Sequence, residues 1–218
     1  MTAEVATRPV RKRLQPSERR TIILQDALRL FAERHYSIVT VRDIAQLCGI
    51  NVGLLYHYFD NKDDLVRRAL GYAIEQTVAR YEARRAAGLD PLAEILAWFD
   101  THIELAPTLE RMVKLMSDYA NSNIRDEELD GLIAGFYDGE RVLLEGALRR
   151  GIAVGQFAPV NVPRTARRIG LMLDGIFHAS ASRRDERIAD DIRDLADLVR
   201  DMLGVGEGAP EGAVNARI

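Results

Sequence analysis

A single cysteine, Cys48, stands in 218 residues, so no intrachain disulfide and no thiolate metal cluster can form. A reducing compartment is expected, with Cys48 as a small buried hydrophobe. No apolar run approaches the roughly 20 residues that span a bilayer, and no apolar signal-peptide core opens the chain. A cytoplasmic protein without a membrane partner is expected. Strand signals are scarce, because no segment of useful length alternates apolar and polar residues at period two. HExxH, GxSxG, a phosphate loop and a dinucleotide glycine fingerprint are all missing. The four histidines, at 35, 57, 102 and 178, are too dispersed to imply a metal site. The expectation is a protein that is not an enzyme and needs no cofactor or metal.

What remains is helical periodicity and an uneven charge. Hydrophobic residues make up 47% and charged residues 29%, enough apolar material for a real core. The net charge of −3 hides an asymmetry. Residues 1–68 carry 12 Lys/Arg against 8 Asp/Glu, while residues 69–218 carry 18 against 25. A basic end on an acidic body fits nucleic-acid contact confined to that end.

The spacing predicts an all-α fold of about nine helices. Ile23, Leu24, Ala27, Leu28 and Phe31 form a stripe of helical period behind Ser17, an N-cap candidate, in a helix ending near His35. Thr40, with Asp43 three residues on, opens a second helix that stops at Gly49. Asn51 opens a third helix that ends near His57, and a fourth follows Asn61 and runs to about Arg85. Helices are then expected at about 91–104, 107–121, 127–151, 162–181 and 186–203. The predicted organisation is a flexible basic arm (1–16), a three-helix helix-turn-helix unit (17–68), a helical body (69–204) and a disordered glycine-rich tail (205–218).

Within residues 40–65, Ala45 permits close helix approach and Gly49 makes the turn. Ile44, Ile50, Leu55 and Phe59 supply the inner face. Asn51, Val52, Gly53, Leu54, Tyr56 and His57 are left for the face that enters a major groove. Val52 and Leu54 suit apolar contact with thymine methyls, and Gly53 allows close backbone approach. Thr40, Arg42, Tyr56, His57 and Lys62 are candidate DNA contacts, the last at a helix N-terminus that attracts phosphate. Arg8, Arg11, Lys12 and Arg13 in the arm add further positive charge.

Two later segments share a four-three rhythm: Val162, Ala166, Ile169, Leu173 and Ile176, then Ile188, Ile192, Leu195, Val199 and Met202. Such a seam serves a helix lying nearly parallel to a partner. It fits a four-helix bundle made by two chains about a twofold axis, or the domain's own core. Gly131, Gly135 and Gly139 fall on one helical face, where each costs up to ~1 kcal/mol relative to alanine. Either another helix packs closely on that stripe or the stripe leaves volume for a ligand.

Residues 19–68, with ILQDALRLFAERHY followed by TVRDIAQLCGINVGLLYHYFDNKDDL, resemble the DNA-binding domain of TetR-family (tetracycline-repressor-like) transcriptional regulators. The resemblance implies an all-helical homodimer with an effector pocket, joined through its last two helices. Ile169, Leu173, Ile176, Ile188, Ile192, Leu195, Val199 and Met202 then become the expected dimer interface. Trp98, His102, Met112, Met116, Tyr119, Phe136, Tyr137, Met172 and Phe177 become candidates to line the pocket. Leu54 departs from the threonine that the family often carries, which removes a polar contact. His102, Glu104, Asp118 and Asp174, polar groups in apolar segments, hint at a cationic or hydrogen-bonding effector. The reading is a sequence-specific regulator, a repressor released from a pseudo-palindromic double-stranded operator by a small molecule. An architectural or effector-independent DNA-binding protein is the alternative.

Overall fold

A computed structural model describes residues 15–85, 88–183 and 187–205. The arm residues Arg8, Arg11, Lys12 and Arg13, and the tail from residue 206, lie outside the described residues. Nine α-helices and no strand occur among the described residues. They are α1 (Pro16–Glu33), α2 (Val41–Leu47), α3 (Val52–Tyr56), α4 (Lys62–Arg85), α5 (Pro91–Glu104), α6 (Ala106–Ala120), α7 (Glu127–Ala153), α8 (Val162–Arg183) and α9 (Ile188–Met202).

The local rules that set these boundaries are visible. Pro16 opens α1 one residue before the predicted Ser17 cap, with Gln15 at the N-cap and its amide bonded to Glu18. Thr40 and Asp43 cap α2 reciprocally, and the Thr40 hydroxyl holds the Asp43 carboxyl below its ordinary value. Asn51 caps α3 by accepting from the Leu54 amide at 2.7 Å. Gly49 ends α2 at φ 63°, a conformation that costs glycine little. Asp90 and Asp126 cap α5 and α7 in the same way as Asn51 caps α3.

Ile23, Phe31, Ile44, Ala45, Leu55 and Phe59 interlock α1, α2 and α3, each no more than 3% exposed. Helix α4 carries Leu65, Val66, Ala69 and Leu70 in that core and continues into the body, where it meets α5, α6 and α7. Gly151 lets the Phe157 ring lie directly on α7, since a β-carbon there would stand 2.1 Å from the ring. The Ala158 amide then bonds the Leu203 carbonyl at 2.9 Å, which fixes the end of α9.

The four-three seam requires a correction. Ile169, Leu173, Ile188, Ile192, Leu195 and Val199 are all buried within the chain's own core, and Ile176 and Met202 are half-buried. The helices that α8 packs against (α6, α7 and α9) belong to the same chain. The outward face of the hairpin carries Leu171, Met172 and Leu198, which are 58%, 41% and 45% exposed.

Candidate DNA interface and ligand cavity

The turn between α2 and α3 leaves Asn51, Gly53, Tyr56 and His57 exposed, with Val52 and Leu54 half-exposed beside them. Arg42 is exposed on α2, and Gln46, one turn later on the same face, is exposed too. Gln46 was absent from the predicted set, although helical spacing from Arg42 points to it. Three predicted contacts already have internal tasks. The Thr40 hydroxyl donates to Asp43 at 2.6 Å, and the Asn51 oxygen is held by the α3 amide, leaving its NH₂ free. Lys62 Nζ donates to the Ser37 carbonyl at 3.0 Å and lies over the Tyr36 ring. Its partial burial lowers the Lys62 pKa. Arg20, on α1, stacks on the Phe59 ring, 5.7 Å from its centroid.

Cys48 is half-buried, and its thiol is pushed up to about 12, by burial first and by Asp26 next. A thiol so rarely ionised is a poor nucleophile.

Between α4, α5 and α7 lies a cavity of about 570 Å³. Apolar and aromatic groups dominate its wall, among them Ile74, Trp98, Leu132, Phe136 and Leu143. Gly131, Gly135 and Gly139 form a bare strip of backbone along it, and a β-carbon added at any of them would meet nothing within 4 Å. Among the described residues no helix packs closely on that strip, so of the two readings of the stripe the open volume is the one observed.

Of the predicted lining residues, Trp98, His102 and Phe136 reach this cavity. Met112, Met116 and Tyr119 are core instead, and the Tyr119 hydroxyl is spent on the Asp126 amide and the Asp130 carboxylate. Phe177 is buried 6.4 Å from the His102 ring, outside the cavity wall. Tyr137 and Met172 are not part of the cavity wall and are 37% and 41% exposed. Tyr81, Glu94, Glu140 and Arg150 line the cavity but were not foreseen. No local pattern distinguishes them from surface residues, because the gap forms only when three helices converge.

Two polar stations interrupt the apolar wall. At one, Glu94 is 5% exposed and accepts from Tyr81, Arg85 and Arg150. At the other, His102 is 2% exposed, with Nδ1 2.8 Å from the Trp98 carbonyl and Nε2 2.9 Å from Glu140. The Trp98 carbonyl can only accept, so Nδ1 carries a proton. Of the predicted polar cluster, Glu104 is engaged by Arg80 and Arg84, and Asp118 by Lys114.

Residues 23–69 match the model of the tetR family of bacterial regulatory proteins. The repressor KstR2 of Rhodococcus jostii (strain RHA1) is 34% identical over 141 residues, covering 65% of this chain and 69% of that protein. The chain belongs to the tetR family. The repressor AcnR of Corynebacterium diphtheriae is 28% identical over 202 residues, covering 89% of this chain and 96% of that repressor. The solved structure of the ketosteroid transcriptional regulator KstR2 of Mycobacterium tuberculosis superposes with a TM-score of 0.67 at 26% identity. That superposition covers 87% of this chain and 95% of KstR2. This tetR-family chain is therefore a DNA-binding transcriptional regulator of a non-enzymatic family. Among its described residues, no helix is long and apolar enough to cross a membrane.

Proposed function

We propose that the protein is a repressor that binds a pseudo-palindromic operator as a homodimer and is released by a small molecule held in the α4–α5–α7 cavity. The observation that carries this reading is the cavity itself, an apolar space of about 570 Å³ with a few convergent polar groups. Arg42, Gln46, Val52, Gly53, Leu54, Tyr56 and His57 are the proposed groove face. Asn51 adds its amide donors, and Thr40 and Lys62 hold the unit's geometry beside the phosphates. The proposed dimer contact is the outward face of α8 and α9 around Leu171, Met172 and Leu198.

A physical route joins the two ends. Arg67, on α4 just past the recognition unit, pairs with Asp126 at 2.5 Å and Glu128 at 2.8 Å. Asp126 also caps α7, whose first turns carry the glycine strip. A ligand that displaces this strip moves α7 and, through Arg67, α4. Two recognition helices must stand ~34–36 Å apart to enter successive major grooves. A coupling of only ~1.4 kcal/mol between ligand and spacing lowers operator affinity tenfold.

The test is selection of genomic fragments by the purified protein, followed by footprinting with and without candidate small molecules. A protected pseudo-palindrome that a small molecule releases supports the reading. Binding that is indifferent to sequence and follows salt alone would replace it with the architectural alternative.

A further inference from the structure

Many carboxylates of the body are matched to arginine or lysine, but among the described residues the half-buried Glu110, Glu140 and Asp174 have no such ion pair, and of these three only Glu140 lines the cavity. Glu94 has Arg85 and Arg150, Glu104 has Arg80 and Arg84, and Glu145 has Arg141 and Arg149. Asp126 has Arg67, and Asp118 has Lys114. Glu140 lines the cavity, yet its one partner among the described residues is His102, which bonds a single carboxylate oxygen. Among the described residues the second oxygen takes no donor.

The surroundings deepen this shortage of positive charge. Asp174, on α8, is close enough to Glu140 to feel its charge. Its carboxyl is pushed up to about 6, by burial first and Glu140 next, with His178 and His102 offsetting only part of that. Nearby Tyr137 is pushed up to about 12 by burial and then by the same two carboxylates. Along α7, Glu140 and Arg150 lie ten residues apart, or ~15 Å at the helical rise. The arginine station is therefore remote from Glu140, and its own charges are already balanced by Glu82 and Glu94.

Space and wall chemistry converge on the same spot. Gly139, immediately before Glu140, and Gly135, one turn earlier, are bare, so a ligand can approach the backbone there. Trp98 and Phe136 present aromatic surface to the same cavity, and aromatic faces attract cations. We propose that the cavity selects an apolar ligand bearing a single cationic amine, with its N–H groups on Glu140 and its charge between Trp98 and Phe136. This rests on the reading of the cavity as the effector site. A carboxylate-bearing ligand of the same skeleton meets Glu140 with like charge. It finds both cavity arginines already engaged.

The protein carries its own reporter, because Trp98 is the single tryptophan and lines the cavity. The experiment titrates Trp98 fluorescence at pH 7.5 with 4-phenylbutylamine, 4-phenylbutanol and 4-phenylbutanoate, three probes that share one skeleton. The amine is expected to bind at least about tenfold more tightly than the carboxylate, with the alcohol between them. Glu140→Gln should bring the amine down to the level of the alcohol, while Glu140→Asp, which keeps the charge, should retain the preference. Equal or tighter binding of the carboxylate, or an amine preference that survives Glu140→Gln, overturns the proposal. Should none of the three probes perturb Trp98 at millimolar concentration, the cavity is no ligand site and the effector reading falls with the proposal. If all three bind alike, only the charge selection falls.

Discussion

Across α1, α2 and α3, Ile23, Phe31, Ile44 and Leu55 are each at most 2% exposed, and the turn between α2 and α3 is closed by Gly49. Along the first half of α7 only Leu129 and Phe136 are buried, and three glycines face open space. The first region packs its apolar side chains into one rigid shape. The second gives up helix propensity to keep a gap. A groove reader needs fixed geometry, because a displaced recognition helix loses several base contacts together. A sensor needs a wall that can be filled. Proteins place their ligand-responsive elements at the weakly packed end of the stability range, and α7 fits that description.

Substitutions can test this contrast from opposite sides. The largest effect is expected where α7 is fully packed. Gly151→Ala drives a methyl into the Phe157 ring and should destabilise the fold by about 1–3 kcal/mol in chemical denaturation. On the recognition face, Tyr56→Ala with His57→Ala should reduce operator affinity about tenfold or more, with the melting temperature unchanged because both side chains are exposed. A fall in melting temperature instead would mean that this face is structural.

Gly135→Ala is predicted to do the reverse of Gly151→Ala. Its new methyl meets nothing, so the gain in helix propensity, up to ~1 kcal/mol, should raise the melting temperature while shrinking the cavity. A lower melting temperature would show that the strip is not slack. The smallest effect is one of pH. The Asp174 carboxyl, ordinarily near 3.8, titrates at about 6 in the folded chain. The folded state therefore holds this proton more tightly than the unfolded state, and the resulting stability is lost as pH rises from about 4 through 6. Asp174→Asn lacks that loss. Its melting temperature should gain on the wild type by roughly 2–4 °C across this window and then run parallel above pH 7. A gap that opens as pH falls would refute the assignment.

The same contrast explains what the sequence made legible. Thr40, Asp43, Gly49 and Asn51 act on neighbours within three or four residues, so caps, turns and the outward face of α3 could be read directly. The seam at Ile192, Leu195 and Val199 told of a nearly parallel partner helix, but not whether that helix lay in the same chain. Spacing describes one surface of a contact and leaves the other unnamed. Met116 and Tyr119 have the same helical spacing as Trp98, yet only Trp98 borders the gap, because the gap depends on how α4, α5 and α7 converge. The glycine strip was the one local sign of it, since three unfavourable residues on one face require a reason.

The bond from Ala158 to Leu203, with Phe157 seated on Gly151, bears on assembly. It staples the last helix to the far end of α7 before any second molecule arrives. A copy approaching the α8–α9 face would meet a surface already in its final form. Joining would then resemble two rigid bodies docking, limited by encounter and orientation instead of by a slow rearrangement of either chain.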